Sequence, residues 1–377
     1  MKPSTAVLHA VRGKNNPTGA IAVPIFQSAT FVHPGAGEST GYDYSRSGNP
    51  TREHAEKLVA ALEHGSGALA FPSGMAATTL MMELFKPGDH IIATDDLYGG
   101  SIRLFDNVSI KNGLRTSYVD TSNIGAIETA LTADTKLIFL ESPTNPMMKV
   151  CDIAAIATLA HNHNIIVAVD NTFLTPYLCN PLDLGADIVI HSGTKYLAGH
   201  NDTLAGLLVV KDGDILERLR FLHKTTGAVL SPFDAYLLIR GIKTLTLRVD
   251  RSQDNALELA KWLSTQSKIR KVYYTGLETH PGYELSRKQA RGFGAMLSFS
   301  TDSADTAKAM LNKVKIIQYA ESLGGVESLL TYPMLQTHAD IPEEIRVARG
   351  IDDCLLRMSV GIEDIGDLKD DLLNAMR

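Results

Sequence analysis

The sequence predicts an α/β protein whose mostly parallel sheet is buried between helices and is followed by a smaller α+β region. Two observations support this prediction. Short apolar runs alternate along the chain with stretches of helical periodicity, and the runs lack the polar–apolar alternation of a half-exposed sheet. Strands that are apolar on both faces are typical of a parallel sheet covered by helices. The apolar runs cover residues 68–71, 90–93, 136–140, 165–169, 187–190 and 205–210.

The helical stretches that separate these runs include residues 51–63, 75–85 and 153–163. A longer helical stretch, from residue 232 to about residue 267, is followed by a predicted strand at 294–299 and a predicted helix at 302–313.

These elements divide the chain into three parts. Residues 1–45 are rich in Gly, Pro, Ser and Thr, and we expect them to form an extended arm that contributes to a neighbouring subunit. Residues 46–240 hold the alternating pattern of the large domain. Residues 241–377 form the smaller C-terminal domain.

Composition and charge disfavour several classes of function. The formal net charge of -6 and the absence of a long basic run are unlike a nucleic-acid-binding surface. Cys151, Cys179 and Cys354 are widely spaced, so we expect free thiols and no metal centre. Because the sequence shows neither a signal-like N-terminus nor a run long enough to span a bilayer, we expect a cytoplasmic protein without membrane contact.

A turn of small residues follows the first predicted strand. It contains Ser73, Gly74 and Met75, and it opens a predicted helix. Backbone N–H groups at such a helix N-terminus bind phosphate. A plain tight turn has the same composition, so this motif alone leaves both interpretations open.

An aspartate and a lysine follow two successive strands. Asp170 ends one strand, and Lys195 comes after the next, preceded by the hydroxyls of Ser192 and Thr194. Ligands of parallel α/β sheets collect at the carboxyl ends of the strands. A carboxylate there would stabilise a protonated pyridine nitrogen, although an acid at a strand end often only caps a turn. A single lysine is usually a surface charge, so the pairing with Asp170 is what indicates a site.

In these residues and in further motifs, the chain resembles the Cys/Met-metabolism family of pyridoxal-phosphate (PLP) enzymes, which have the aspartate-aminotransferase-like fold (fold type I). The matching motifs span nearly the whole chain in the family's order, at residues 44–52, 73–75, 98–100, 141–146, 170–173, 192–196, 320–325 and 356–361.

The resemblance implies how the cofactor is held. Lys195 would carry PLP as a Schiff base and later move protons, Asp170 would pair with the ring nitrogen, and Tyr98 would stack on the ring and assist proton transfer. The resemblance also implies a homotetramer, a dimer of dimers with shared active sites. The phosphate would be bound by Gly74, Met75, Ser192 and Thr194, together with Tyr44 and Arg46 of the neighbouring subunit.

The resemblance also implies how an amino-acid substrate is held. Arg357 would clamp the α-carboxylate, helped by Asn145 and Ser322. Glu321 resembles the acid that meets the distal amine in the cystathionine synthases and γ-lyases. Residues 228–234, 240–244 and 331–342, in contrast, resemble cystathionine β-lyases. We therefore expect β-elimination of L-cystathionine to homocysteine, pyruvate and ammonia, with cystathionine γ-synthase and γ-lyase activities as alternatives.

The sequence also bears on two other classes of function, a nicotinamide-dependent oxidoreductase and a non-catalytic binding protein. A nicotinamide-dependent oxidoreductase would need a glycine fingerprint after its first strand, and the GxGxxA match at residues 65–70 precedes a strand instead. A non-catalytic relative would be expected to have lost Lys195, Asp170 or Arg357, and all three are present.

Overall fold

The computed structural model of the chain describes residues 1–11, 18–339 and 342–377. Residues 12–17 of the predicted arm and residues 340–341 of the stretch 331–342 lie outside the described residues. No helix within the described ranges is both long and apolar enough to cross a membrane.

The described residues form a large and a small sheet. The strands of the large sheet are β1 (Gly67–Phe71), β2 (His90–Thr94), β3 (Arg115–Val119), β4 (Thr135–Glu141), β5 (Ile166–Asp170), β6 (Ile188–Ser192) and β7 (Gly206–Val210). The strands of the small sheet are β8 (Ile269–Tyr273), β9 (Met296–Thr301), β10 (Gln318–Tyr319), β11 (Leu329–Thr331) and β12 (Leu355–Ser359).

Helices connect and cover these strands. They are α1 (Pro3–His9), α2 (Pro50–Glu63), α3 (Gly74–Met82), α4 (Gly99–Asn107), α5 (Ile124–Ala130), α6 (Ile153–His161), α7 (Thr175–Leu178), α8 (Gly213–Thr226), α9 (Pro232–Ile242), α10 (Leu245–Leu263), α11 (Tyr283–Gln289), α12 (Ala304–Lys313), α13 (Glu343–Ala348) and α14 (Ile365–Met376).

The large sheet has the strand order β1-β7-β6-β5-β4-β2-β3. Strand β7 runs antiparallel to β1 and β6, and the other neighbouring pairs are parallel. Since β1 and β6 both oppose β7, their carboxyl ends lie at the same edge as those of β2 to β5. The prediction of a mostly parallel sheet is confirmed, and this edge carries Asp170 and Ser192, two of the predicted ligand-binding residues.

Both faces of the large sheet are buried. In β5, Val167 and Val169 belong to one hydrophobic cluster while Ala168 belongs to the other. In β6, Val189 and Ile190 are divided between the two clusters in the same way. Successive side chains of a strand point to opposite faces, so an apolar run without alternation is what a doubly covered strand requires.

The small sheet has the order β10-β11-β12-β9-β8 and is antiparallel except for the pair β10–β11. Its central strand β12 carries Arg357, which pairs in register with Ser298 of β9 and Thr331 of β11. A central strand is held on both sides, so the position of the Arg357 backbone is well defined.

The structure differs from the sequence-based expectation at several elements, among them the arm, strand β3 and the long helical stretch, and it adds the strands β8, β10, β11 and β12 to the small domain. The predicted extended arm contains the short helix α1. Strand β3 was not predicted, because it is an edge strand with exposed or half-buried residues only. The helical stretch predicted from residue 232 to about 267 is two helices, α9 and α10, and the buried guanidinium of Arg248 donates to the Gly241 carbonyl (2.8 Å) beside the break.

Candidate active site

A cavity of about 370 Å³ opens at the carboxyl ends of the large sheet, facing the small sheet. It is lined by all but two of the residues that the sequence singled out. Those lining it are Gly74, Met75, Tyr98, Asn145, Asp170, Ser192, Thr194, Lys195, Glu321, Ser322 and Arg357.

The amine of Lys195 lies inside this cavity. Its Nζ donates a hydrogen bond to the Ser322 hydroxyl at 2.7 Å. Burial and the neighbouring Arg357 charge lower the pKa of Lys195 to about 8, and the Glu321 carboxylate opposes this shift. A lysine with such a pKa carries a substantial neutral fraction near neutral pH, as an amine nucleophile or base requires.

Ser322 connects the lysine with the arginine. Its φ of 95° is rare for a residue with a side chain, so the surrounding contacts must hold it in place. While its hydroxyl meets Lys195, its carbonyl accepts a hydrogen bond from Arg357 Nη2 at 3.1 Å.

Arg357 is 2% exposed and bonded to neutral acceptors. Its guanidinium donates to Asn145 Oδ1 at 3.0 Å and to Thr331 Oγ1 at 3.1 Å, while its buried Nε has no partner within the described part of the chain. Burial lowers its pKa to about 10, which leaves it charged at neutral pH. A buried cation without a bonded carboxylate is costly by itself and suits an anionic ligand.

Two acids face the cavity side by side. Glu141 ends β4 and pairs in register with Asp170, the last residue of β5. Burial raises the pKa of both carboxyls, and the neighbouring Asp170 raises that of Glu141 further. Asp170 Oδ1 accepts the Thr172 N–H at 3.0 Å, and Glu141 Oε2 accepts the Tyr98 N–H at 3.0 Å. A cationic ring nitrogen placed here would stabilise the ionised acids.

Glu141 was not predicted to have a role of its own. The signal that could have found it is positional: acids end two strands that are neighbours in a parallel sheet. That signal requires the strand order, which a single sequence does not state.

The turn after β1 has the form of an anion site. Ser73 caps α3, its Oγ accepting the Ala76 N–H at 3.1 Å, so Gly74 and Met75 occupy the first helical positions, whose N–H groups have no acceptor within the helix. Gly206 of β7 passes directly beneath: a Cβ there would lie 2.0 Å from the Ser73 carbonyl oxygen and 2.7 Å from the Gly74 nitrogen. This close approach requires glycine.

The hydroxyls expected beside this turn differ in their contacts. Ser192 ends β6, and its backbone N–H donates to Thr172 Oγ1 at 2.8 Å. The Thr194 hydroxyl accepts the Ala205 N–H at 3.0 Å and donates to the Ala205 carbonyl at 3.3 Å. Thr194 therefore ties the loop after β6 to the start of β7 in addition to lining the cavity.

Tyr44 and Arg46 lie outside the cavity of their own chain. The Tyr44 side chain is exposed, and the Arg46 guanidinium lies 5.6 Å from its ring centroid. Arg46 Nη1 also donates to the Lys224 carbonyl.

The loop after β11 supplies residues that the sequence did not single out one by one. Thr337 lines the cavity, and the adjacent His338 is 1% exposed. Burial lowers the His338 pKa to about 4, so its imidazole is neutral. Its Nε2 lies 3.2 Å from the carbonyl oxygen of Asn145, the residue that contacts Arg357.

Comparison with known proteins identifies the family of this chain. Residues 4–377 match the family model described as Cys/Met metabolism PLP-dependent enzyme. The chain belongs to this family. The resemblance stated from the motifs is thus confirmed, and the cofactor of the family is pyridoxal phosphate.

Several relatives with different named activities are similar to the chain over nearly their full length. Cystathionine gamma-synthase of Haemophilus influenzae is 48% identical over 98% of this chain and 96% of its own. Cystathionine gamma-lyase of Bacillus subtilis is 46% identical over 100% of this chain and 99% of its own. Cystathionine beta-lyase of Lactococcus lactis subsp. cremoris is 46% identical over 99% of this chain and 98% of its own.

A solved structure shares the whole fold. Cystathionine gamma-lyase from Lactobacillus plantarum, complexed with L-serine, superposes with a TM-score of 0.97 at 43% identity, covering 100% of this chain and 98% of that chain. The predicted fold type I is confirmed. The chain is accordingly a PLP-dependent enzyme of the Cys/Met-metabolism family.

The residues in the cavity fit this cofactor. An aldehyde, a pyridine nitrogen and a phosphate need, respectively, an amine, an acid and anion-binding N–H groups. Lys195, the acid pair of Asp170 and Glu141, and the N-terminus of α3 supply these groups around one cavity.

Proposed function

We propose that this enzyme is a carbon–sulfur lyase that splits L-cystathionine by β-elimination into homocysteine, pyruvate and ammonia. The observation that carries the proposal is the juxtaposition, through Ser322, of a half-buried amine of lowered pKa with a buried guanidinium bonded to neutral acceptors. An α-amino acid bound by its carboxylate at Arg357 would have its Cα near the Lys195 amine.

The cofactor would be held at three points. Lys195 Nζ would bind its aldehyde carbon, Asp170 its ring nitrogen, and the first turn of α3 with Ser192 its phosphate. When bound, PLP withdraws electrons from the substrate Cα and makes the Cα proton acidic.

The residues of the chain would then move one proton. Lys195 Nζ would take the proton from the substrate Cα and deliver it to the sulfur as the Cβ–S bond breaks, releasing homocysteine. The three-carbon remainder takes up water and leaves as pyruvate and ammonia. The hydrogen bond to Ser322 would orient the amine for this transfer.

The position of Glu321 supports the proposal that the substrate carries a second amino group. Its carboxylate is exposed at the mouth of the cavity and acts on the Lys195 amine as an opposite charge. A distal ammonium, which cystathionine carries, would be stabilised there.

Incubation with L-cystathionine alone tests the regiochemistry. We expect pyruvate and homocysteine. Formation of 2-oxobutyrate and cysteine would show γ-cleavage instead, and turnover only after addition of cysteine with an activated homoserine would show γ-synthase activity. The relatives named gamma-lyase and gamma-synthase, at 46% and 48% identity, support these alternatives as well as the beta-lyase supports ours.

We further propose a cytoplasmic homotetramer in which the arm of one subunit completes the phosphate site of another. Apolar side chains of the arm support this proposal, since Ile21 is 99% and Val32 is 87% exposed. Mixing Lys195→Ala subunits with Arg46→Ala subunits tests it: activity should reappear in mixed oligomers, whereas subunits with self-contained sites would show none beyond that of the separate variants.

A further inference from the structure

A buried polar network lies behind the cavity, on the opposite face of the large sheet. Its centre is Glu63, the last residue of α2, which is 0% exposed. Glu63 Oε1 accepts a hydrogen bond from Asn171 Nδ2 at 2.8 Å and lies 2.7 Å from His191 Nε2. Asn180 Nδ2 approaches Glu63 Oε2 at 3.3 Å.

One carboxylate oxygen thus joins the ends of two neighbouring strands. Asn171 directly follows Asp170, and its backbone N–H donates to the Ile190 carbonyl at 2.9 Å. His191 directly precedes Ser192. Because successive side chains alternate between the faces of a strand, His191 points away from the cavity while Ser192 points into it. The network therefore holds the residue after Asp170 and the residue before Ser192, and none of its members lines the cavity.

The network is a costly way to stabilise a protein. Removing an acid and a histidine from water carries a desolvation penalty, and well-packed apolar residues of similar size often stabilise as much. Two of its buried atoms, Asn171 Oδ1 and His191 Nδ1, have no hydrogen-bond partner within the described residues. What the network does provide is a directional connection between β5 and β6.

We infer that Glu63 and His191 are positioning residues that hold Asp170 and Ser192 in the geometry that binds the cofactor. This inference rests on the cofactor roles proposed above for Asp170 and Ser192. It predicts that loss of the network weakens and distorts cofactor binding more than it destabilises the fold.

The double variant Glu63→Met/His191→Leu separates positioning from stability, because it replaces the whole buried pair with apolar side chains. We expect the cofactor-free protein to melt within a few degrees of the wild type. Its PLP dissociation constant should rise at least 10-fold, and the visible absorbance band of the loaded protein should shift. Both readouts are made without substrate, so they do not depend on which carbon–sulfur bond the enzyme breaks.

Asp371→Asn is the matched control. Asp371 is a buried carboxylate that accepts three backbone N–H groups, from residues 315–317, and none of these residues lines the cavity. Its substitution should lower the melting temperature and leave the PLP dissociation constant unchanged.

Wild-type PLP affinity and an unshifted band in the double variant would overturn the inference. If that protein does not fold, the single variant His191→Leu replaces it, because Glu63 then keeps its contacts with Asn171 and Asn180. Unchanged PLP affinity and spectrum in His191→Leu would exclude His191 as a positioning residue and overturn the inference. Asp170→Asn tests the proposed cofactor role of Asp170 separately from the positioning role of Glu63 and His191. An unaltered spectrum in that variant would contradict the proposed role of Asp170 itself.

Discussion

The Lys195 amine and the Ser322 hydroxyl lie 2.7 Å apart although they are separated by 127 positions in the chain. One residue follows the large-sheet strand β6, and the other precedes the small-sheet strand β11. Because the Ser322 carbonyl also accepts from Arg357, this serine links the proposed proton-transferring amine to the proposed carboxylate site.

Lys195→Ala should abolish turnover and still bind PLP weakly, because the phosphate and ring contacts of the cavity remain. Cofactor retention can be measured by dialysis and absorbance, and turnover by pyruvate formation. Lys288→Ala, which removes a lysine that is 75% exposed, serves as the control and should behave as the wild type. Near-wild-type activity of Lys195→Ala would exclude Lys195 as the residue that binds the cofactor and transfers the proton.

Capture of PLP by the cofactor-free protein should follow the pKa of Lys195, which burial and the Arg357 charge lower to about 8. The neutral amine is the reactive form, so the rate should rise with pH up to about 8 and then level off. An ordinary lysine would be only about 0.4% neutral at that pH. Stopped-flow absorbance from pH 6 to 10 measures the rate, and a rate still climbing above pH 10 would show an unshifted lysine.

Arg357→Lys should raise KM more than it lowers kcat. An ammonium cannot reproduce the guanidinium contacts with Asn145 and Thr331 while also clamping a carboxylate. We expect KM to rise about 10- to 100-fold, the range for losing a hydrogen bond to a charged group. Steady-state kinetics with L-cystathionine measure both constants. An unchanged KM would exclude Arg357 from substrate binding.

Glu321→Gln should raise KM for L-cystathionine several-fold, the modest size expected of a solvent-exposed charge pair. The effect should disappear with a sulfur amino acid that lacks a distal ammonium, and it should shrink in high salt. Glu327→Gln, at another acid of the neighbouring surface, is the matched control. Equal losses for both kinds of substrate would show that Glu321 does not recognise the distal amine.

Much of the fold follows from local patterns in the sequence. The apolar runs that became β1, β2 and β4 to β7 are buried on both faces, so their signal does not depend on tertiary contacts. Strand β3 is different, because its half-buried edge position provides no continuous apolar run. The break between α9 and α10 likewise lies beside the Arg248 guanidinium, which donates both to Gly241 and to the carbonyl of Tyr196, 52 positions away in the chain.

Parts of the candidate site could be predicted where the relevant residues lie close together in the sequence, as they do around Lys195 and in the turn at Gly74. Glu141 and Glu63 had no such signal. The importance of Glu141 depends on β4 and β5 being neighbours, and that of Glu63 on the end of α2 meeting residues that follow more than 100 positions later. Such relationships are properties of the topology and cannot be read from a single local pattern.

Gly206 leaves little free space beneath the turn that is proposed to bind the phosphate. The reversed strand runs so close under the turn at Ser73 that even a methyl group would have to displace it. In a Gly206→Ala chain, the methyl group would displace the turn that presents the Gly74 and Met75 N–H groups. The first effect of this substitution would therefore be a folded protein that no longer retains PLP and lacks its visible absorbance band.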